Sequence, residues 1–167
     1  MVVHEAYPGH HLQLVTAQHL PSEVRRHLWT PVMVEGWALY CEQLMQEQGF
    51  LETKEHQFVM LKDRLWRALR VIIDVKTQTG RMTYDEAADL MVRELHFPRA
   101  QACADLNWYS QSPSGPMGYA LGWSIINRLR DREQSRLGSR FNLREFHDKL
   151  LSAGSISLPL VEKRHFA

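Results

Sequence analysis

His4-Glu5-Ala6-Tyr7-Pro8-Gly9-His10-His11 opens the chain, and Val34-Glu35-Gly36-Trp37-Ala38 follows on a later apolar segment. Together they supply several imidazoles, a carboxylate beside the first of them, and a second carboxylate from elsewhere. Catalytic zinc takes three protein ligands, often two His and a Glu, and leaves a fourth position open. Such an ion polarises a carbonyl and makes water acidic near neutral pH. A carboxylate that does not ligate the metal can then take a proton and return it to a leaving amine. The residues predict a zinc site of the metallopeptidase kind, which Glu35 would approach from the next helix.

The spacing is unusual. In an H-E-x-x-H helix the two His stand at i and i+4 on one face, but here the i+4 position is Pro8. His10, at i+6, would lie about 240° round a regular helix. His11, at i+7, returns to the right face but ~10.5 Å further along the axis. Pro8 has no N–H to give the His4 carbonyl, and Gly9 tolerates the dihedrals of a bulge. A local insertion would re-phase the helix and bring His10 under His4. This favours His10 over His11, with His11 as the alternative ligand. The plain alternative is a surface cluster of His4, His10 and His11, with Glu5 a solvated first-turn acid.

The elements that must position these groups read as helices throughout. The first is expected over His4–His19 and a short one after Pro21-Ser22-Glu23. A third runs over Pro31–Gln48, where Val34, Trp37, Ala38, Cys41, Leu44 and Met45 recur at three and four. On it Glu42 stands at i+7 from Glu35, placed either to orient a ligand His or to face solvent. A long helix is expected over Glu52–Thr79 with a core stripe of Phe58, Leu61, Leu65, Ala68, Leu69, Ile72 and Val75. Its charged row holds Arg64, Arg67, Arg70 and Asp74. Arg70 and Asp74 are spaced as a helical ion pair, and one of the Arg residues could instead take a substrate carboxylate. Thr83 and Glu86 form a capping box. A short helix over Ala100–Trp108 leads to a Pro-, Gly- and Ser-rich break. Tyr109 and Tyr119 flank that break, and a phenol near a zinc site can donate to a developing oxyanion. Helices over Ala120–Leu137 and Phe141–Leu151 follow, then an apolar coil over Ser155–Leu160. The fold class is all-α.

The 167 residues, 44 % of them hydrophobic, suit a single helical domain with a real core. Lys and Arg total 20 against 19 Asp and Glu, without a basic stripe for nucleic acid. No apolar run reaches the ~18 residues of a membrane span. Cys41 and Cys103 read as reduced thiols rather than a disulfide framework. The presumed ligand His4 stands so near the first residue that the chain is expected to be the C-terminal catalytic part of a longer protein, or an unusually short relative. Its expected partners are a missing N-terminal half or further copies of itself in a homo-oligomer. The compartment is open, cytoplasmic by default.

The segment from His4 to Gln13, the run from Glu35 to Tyr40, and the tail of Phe141–Leu151 with Gly154 and Pro159-Leu160 resemble the bacterial family called domain of unknown function 885. The resemblance spans essentially the whole chain but only the C-terminal part of that family's longer proteins. The family is similar in turn to helical gluzincin peptidases, in which Gly-His closes the zinc motif at variable distance from His-Glu. This implies His4, His10 and Glu35 as Zn²⁺ ligands, Glu5 as general base and peptides as substrates. It also implies that Gly118-Tyr119 resembles a segment lining the substrate cleft. Two rival readings stand beside it. One is a non-catalytic module whose structural zinc takes His11 as fourth ligand, and the other is a metal-dependent hydrolase of non-peptide amides or esters.

Overall fold

The computed structural model describes residues 2–50 and 53–166. Among them it is all-helical, without a strand. No described helix is long and apolar enough to cross a membrane. The chain divides into two compact units, Met1–Phe50 with Gly122–Ala167, and Leu51–Leu121.

The first unit carries α1 (Val2–Glu5), α2 (His10–Gln18), α3 (Glu23–His27) and α4 (Pro31–Glu47). The single helix expected over His4–His19 is thus two helices. The break follows from Pro8, whose missing N–H removes a rung of the ladder. The ladder resumes through one wide ring, in which the His11 N–H donates to the Ala6 carbonyl at 3.2 Å. This is the local re-phasing that Pro8 and Gly9 suggested, carried far enough to separate the two segments. Ser22 caps α3, its hydroxyl accepting from the Arg25 N–H.

Pro31 sits in the first turn of α4, where a missing N–H costs nothing. The middle of this helix is buried nearly all round, with Met33, Trp37 and Tyr40 in the core beside Ile126, Leu150 and Leu158. α8 (Gly115–Leu137) starts in the second unit and enters the first at Gly122. There it crosses α4 at a pair of glycines. A Cβ on Gly122 would lie 1.9 Å from the Val32 carbonyl oxygen, and one on Gly36 would lie 2.5 Å from the Gly122 Cα. Only backbone fits at this crossing, and Glu35 is the residue next to it.

A short 3₁₀ turn leads to α9 (Leu143–Ser152), capped by Asn142, whose side chain accepts from the Glu145 N–H at 3.1 Å. The expected coil over Ser155–Leu160 does pack back, with Ser155, Ile156 and Leu158 buried. From Leu158 onward it is helical, as α10 (Leu158–His165) with Pro159 in its first turn.

The second unit holds α5 (Lys54–Gln78), α6 (Tyr84–Leu95), α7 (Arg99–Gln111) and the start of α8. The expected start of the long helix at Glu52 lies outside the described residues. The capping box at Thr83 and Glu86 forms as expected. Leu69, Ile73, Met91, Leu95, Leu106 and Tyr109 make the core. The stripe expected to bury α5 is largely on the outside: Phe58, Leu61, Leu65, Ile72 and Val75 are exposed. The helix instead buries Met60, Arg67, Leu69, Arg70, Ile73 and Asp74. One reason is Asp74, whose carboxylate accepts from the backbone N–H groups of Ser114 (3.3 Å) and Met117 (3.2 Å). It satisfies orphan donors at the N-terminus of α8, where negative charge is favoured. The expected Arg70–Asp74 ion pair is absent among the described residues, because Asp74 is engaged there.

Candidate metal centre

The break between α1 and α2 folds His10 back onto His4. Their ring centroids stand 4.9 Å apart with the planes at 88°. Gly9 makes the fold-back possible. Its α-carbon packs so closely that an added Cβ would lie 1.8 Å from the His4 carbonyl oxygen and 2.4 Å from that of Val3. Any other residue would push the two segments apart.

α4 holds the break from the other side. The Trp37 indole N–H donates to the Pro8 carbonyl at 3.0 Å, and the Cys41 thiol donates to the same oxygen at 3.4 Å. Six residues before Cys41 on the same helix, Glu35 points into the gap between the two imidazoles. Its Oε2 lies 3.5 Å from His4 Nε2 and 3.4 Å from His10 Nε2. That oxygen is buried and has no hydrogen-bond partner among the described residues, and the same holds for His10 Nδ1. Two ligands held ~2.1 Å from one ion at the tetrahedral angle stand ~3.4 Å apart. The two separations from Glu35 match that value, although the ligand atoms that all lie within 4.8 Å of one another are those of His4, His10 and Glu5 rather than Glu35. The orphaned Glu35 oxygen is what a cation beside it would satisfy.

The other nitrogen of His4 is taken. Its Nδ1 donates to Glu42 Oε1 at 2.8 Å, in a buried contact. This leaves Nε2 facing Glu35 and fixes the ring, as a carboxylate behind a ligating His does. Of the two readings open for Glu42, the orienting one matches its position. Burial works against a charged His4, but the facing Glu35 and Glu42 carboxylates outweigh it and raise the pKa to about 9. Burial would also neutralise Glu35, yet His10 and His4 overcome it and hold its carboxyl down to about 2. The pocket is thus arranged for separated charge.

Glu5 is exposed, and a carboxylate oxygen of it lies within 4.8 Å of ligand atoms of both His4 and His10. That is looser than the contacts of Glu35 and within reach through one water. His11 is exposed. The two tyrosines belong to the second unit. Tyr109 is buried, and its hydroxyl accepts from Trp66 Nε1 (3.1 Å) and Arg70 Nε (2.9 Å). Tyr119 turns its ring to the Arg70 guanidinium at 4.9 Å.

Tyr7, Pro8 and Trp37 also form part of the wall of a cavity of about 730 Å³, closed on another side by His147 and Leu151 of α9. Nothing in the sequence pointed to His147. It accepts from the Tyr40 hydroxyl at 2.8 Å and stands edge-on to Trp37. Its only signal was its place on the amphipathic α9.

Residues 1–164 match the family model described as "Bacterial protein of unknown function (DUF885)". The chain belongs to this family. Two solved structures resemble this DUF885 member, each of a "putative lipoprotein". One, from Colwellia psychrerythraea, is 32 % identical with a TM-score of 0.90 over 96 % of the chain. The other, from Shewanella oneidensis and of unknown function, is 32 % identical with a TM-score of 0.86 over 97 %. The DUF885 chain spans 28 % and 30 % of their lengths, under a third of each. No curated protein matches it significantly.

Proposed function

We propose that this DUF885 chain carries the metal centre of a zinc-dependent peptide hydrolase. The observation that carries the reading is the convergence of His4 Nε2 and His10 Nε2 on the orphaned, buried Oε2 of Glu35. Two imidazoles and a carboxylate are a donor set suited to Zn²⁺ with an open fourth position. His4, His10 and Glu35 would hold the ion. When bound, zinc supplies the Lewis acidity that polarises an amide carbonyl and makes water acidic near neutral pH.

The rest of the work falls to the protein. Glu42 fixes the His4 ring and keeps Nδ1 as the protonated nitrogen. Trp37 and Cys41 hold the Pro8 carbonyl, so the break cannot relax and carry His10 away. Glu5 keeps a carboxylate in water beside the two imidazoles, placed to take a proton from an attacking water and return it to the leaving nitrogen. The cavity behind Pro8 and Trp37 is large enough to accept an apolar side chain.

Elemental analysis of the purified protein tests the site. About one zinc per chain is expected, with loss in His10→Ala and retention in His11→Ala. Glu5→Gln should keep its zinc and lose turnover of a peptide panel. Full turnover in that variant at normal zinc content would overturn the mechanism.

A further inference from the structure

The second unit buries two arginines that its own acids do not neutralise in the usual way. Arg70 is 7 % exposed, and its guanidinium carbon lies over four rings: Trp66 at 4.2 Å, Tyr119 at 4.9 Å, Trp108 at 5.5 Å and Tyr109 at 5.6 Å. It makes one hydrogen bond, from Nε to the Tyr109 hydroxyl, and no ion pair with a described residue. A guanidinium carries five N–H donors in a fixed fork, so most of this fork has no acceptor among the described residues. Neither Nη nitrogen is fully enclosed. Arg67, also 7 % exposed, stands over two of the same rings, Trp66 at 5.6 Å and Tyr119 at 5.8 Å. Asp63 binds its Nη1 at 3.3 Å, but its Nε is enclosed without an acceptor.

Beside Asp63, which pairs with Arg67, the unit holds two further acids near this row. Asp74 directs its carboxylate to the backbone of α8. Asp105 acts on Arg70 without an ion pair, and burial pushes its carboxyl up. Two cations on the same aromatic walls repel one another, and among the described residues neither has a bidentate acceptor. Aromatic faces stabilise a guanidinium without consuming its in-plane donors, so the fork stays available. A carboxylate matches that fork with two parallel hydrogen bonds, and the surrounding rings suit an apolar group next to it.

We infer that Arg70, flanked by Arg67 and walled by Trp66 and Trp108, forms a binding site for an organic monocarboxylate with an apolar neighbour, the chemistry of a peptide C-terminus. The site lies within the second unit and stands apart from the metal reading.

The indole N–H resonance of Trp66, whose donor is bonded to Tyr109, reports on the site by NMR. Titration of the full chain with N-benzoylglycine should shift it saturably. N-benzoylglycinamide, alike except for the charge, should bind at least tenfold more weakly. Arg70→Lys keeps the charge and loses the fork, and should lower affinity for the acid at least tenfold. Asp105→Asn removes a competing anion and should leave that affinity equal or higher. Equal effects of acid and amide on the wild type would overturn the proposal without any variant having to fold. So would an unmoved Trp66 resonance, or an acid preference that survives Arg70→Lys. Zinc also attracts carboxylates, so the titration is repeated on His10→Ala: unchanged binding supports the site at Arg70, and lost binding overturns it.

Discussion

Gly9→Ala is the sharpest perturbation of the metal centre, because it changes no donor. The new Cβ would meet the His4 carbonyl oxygen at 1.8 Å and the Val3 carbonyl oxygen at 2.4 Å. Both obstacles are backbone, so no rotamer change relieves them. A tolerable contact needs α1 and the start of α2 to separate by about 1.2 Å or more, whereas a metal site tolerates roughly ±0.2 Å in its ligand distances. His10 follows Gly9 directly, and in the proposed zinc site it is the ligand that would leave. Structural zinc sites contribute ~10 kcal/mol or more, so losing one of three protein ligands costs ~3 kcal/mol, or ~100-fold in zinc affinity. Overpacking itself costs about 1–3 kcal/mol, which the fold can survive. The assay is a competition titration of zinc against a chromophoric chelator, with helical circular dichroism as the control. A helical Gly9→Ala protein that binds zinc with wild-type affinity would refute the claim that this close approach sets the ligand geometry.

Glu42→Gln keeps the size of the side chain that holds His4 Nδ1 but removes its charge. Zinc affinity should fall about 10–100-fold, and an unchanged chelator titration would count against an orienting role. Gly122→Ala places a Cβ 1.9 Å from the Val32 carbonyl. It should lower the stability of the fold by at least about 1–3 kcal/mol and reduce zinc content through the displaced Glu35, both measurable by chemical unfolding and elemental analysis. His147 is held down to about 4, first by burial and then by Arg130. The unfolded chain takes up that proton near pH 6.5 and the folded one does not. Stability should therefore be complete above pH 6.5 and decline as pH falls towards 4. His147→Phe should flatten this part of the urea midpoint-versus-pH curve, and an unaltered slope would show that another group titrates.

The break near the first residues was legible because it depends on residue type. His-Glu, Pro-Gly and a later Glu on an apolar helix are local statements, and the broken helix follows from the missing N–H of Pro8. Spacing could rank His10 above His11 but not decide between them; the fold-back at Gly9, a contact between two segments, is what brings the His10 ring against His4. The phase of α5 was not legible. Its leucines and its arginines recur with the same helical period, and an apolar stripe is ordinarily assigned to the inside. What reverses it is long-range. Asp74 caps a helix that begins forty positions later, and Arg70 is accepted indoors by rings contributed from α7 and α8. The start of α8 at Gly115, inside an apparent loop, has the same cause. α10 was missed although Ser157 and Pro159 are ordinary start signals, because the apolar run was read for burial alone.

α5 is, in effect, a rod inside out, its oily rail wetted and its cations kept dry along a length of about 37 Å. Rolling it to hide Phe58, Leu61 and Leu65 would drag the Arg67 and Arg70 heads into water and strip Asp74 from the amides it caps. Its orientation is locked by the polar flank, so the rail faces outward as a fixed geometric feature that cannot swivel to suit what it meets.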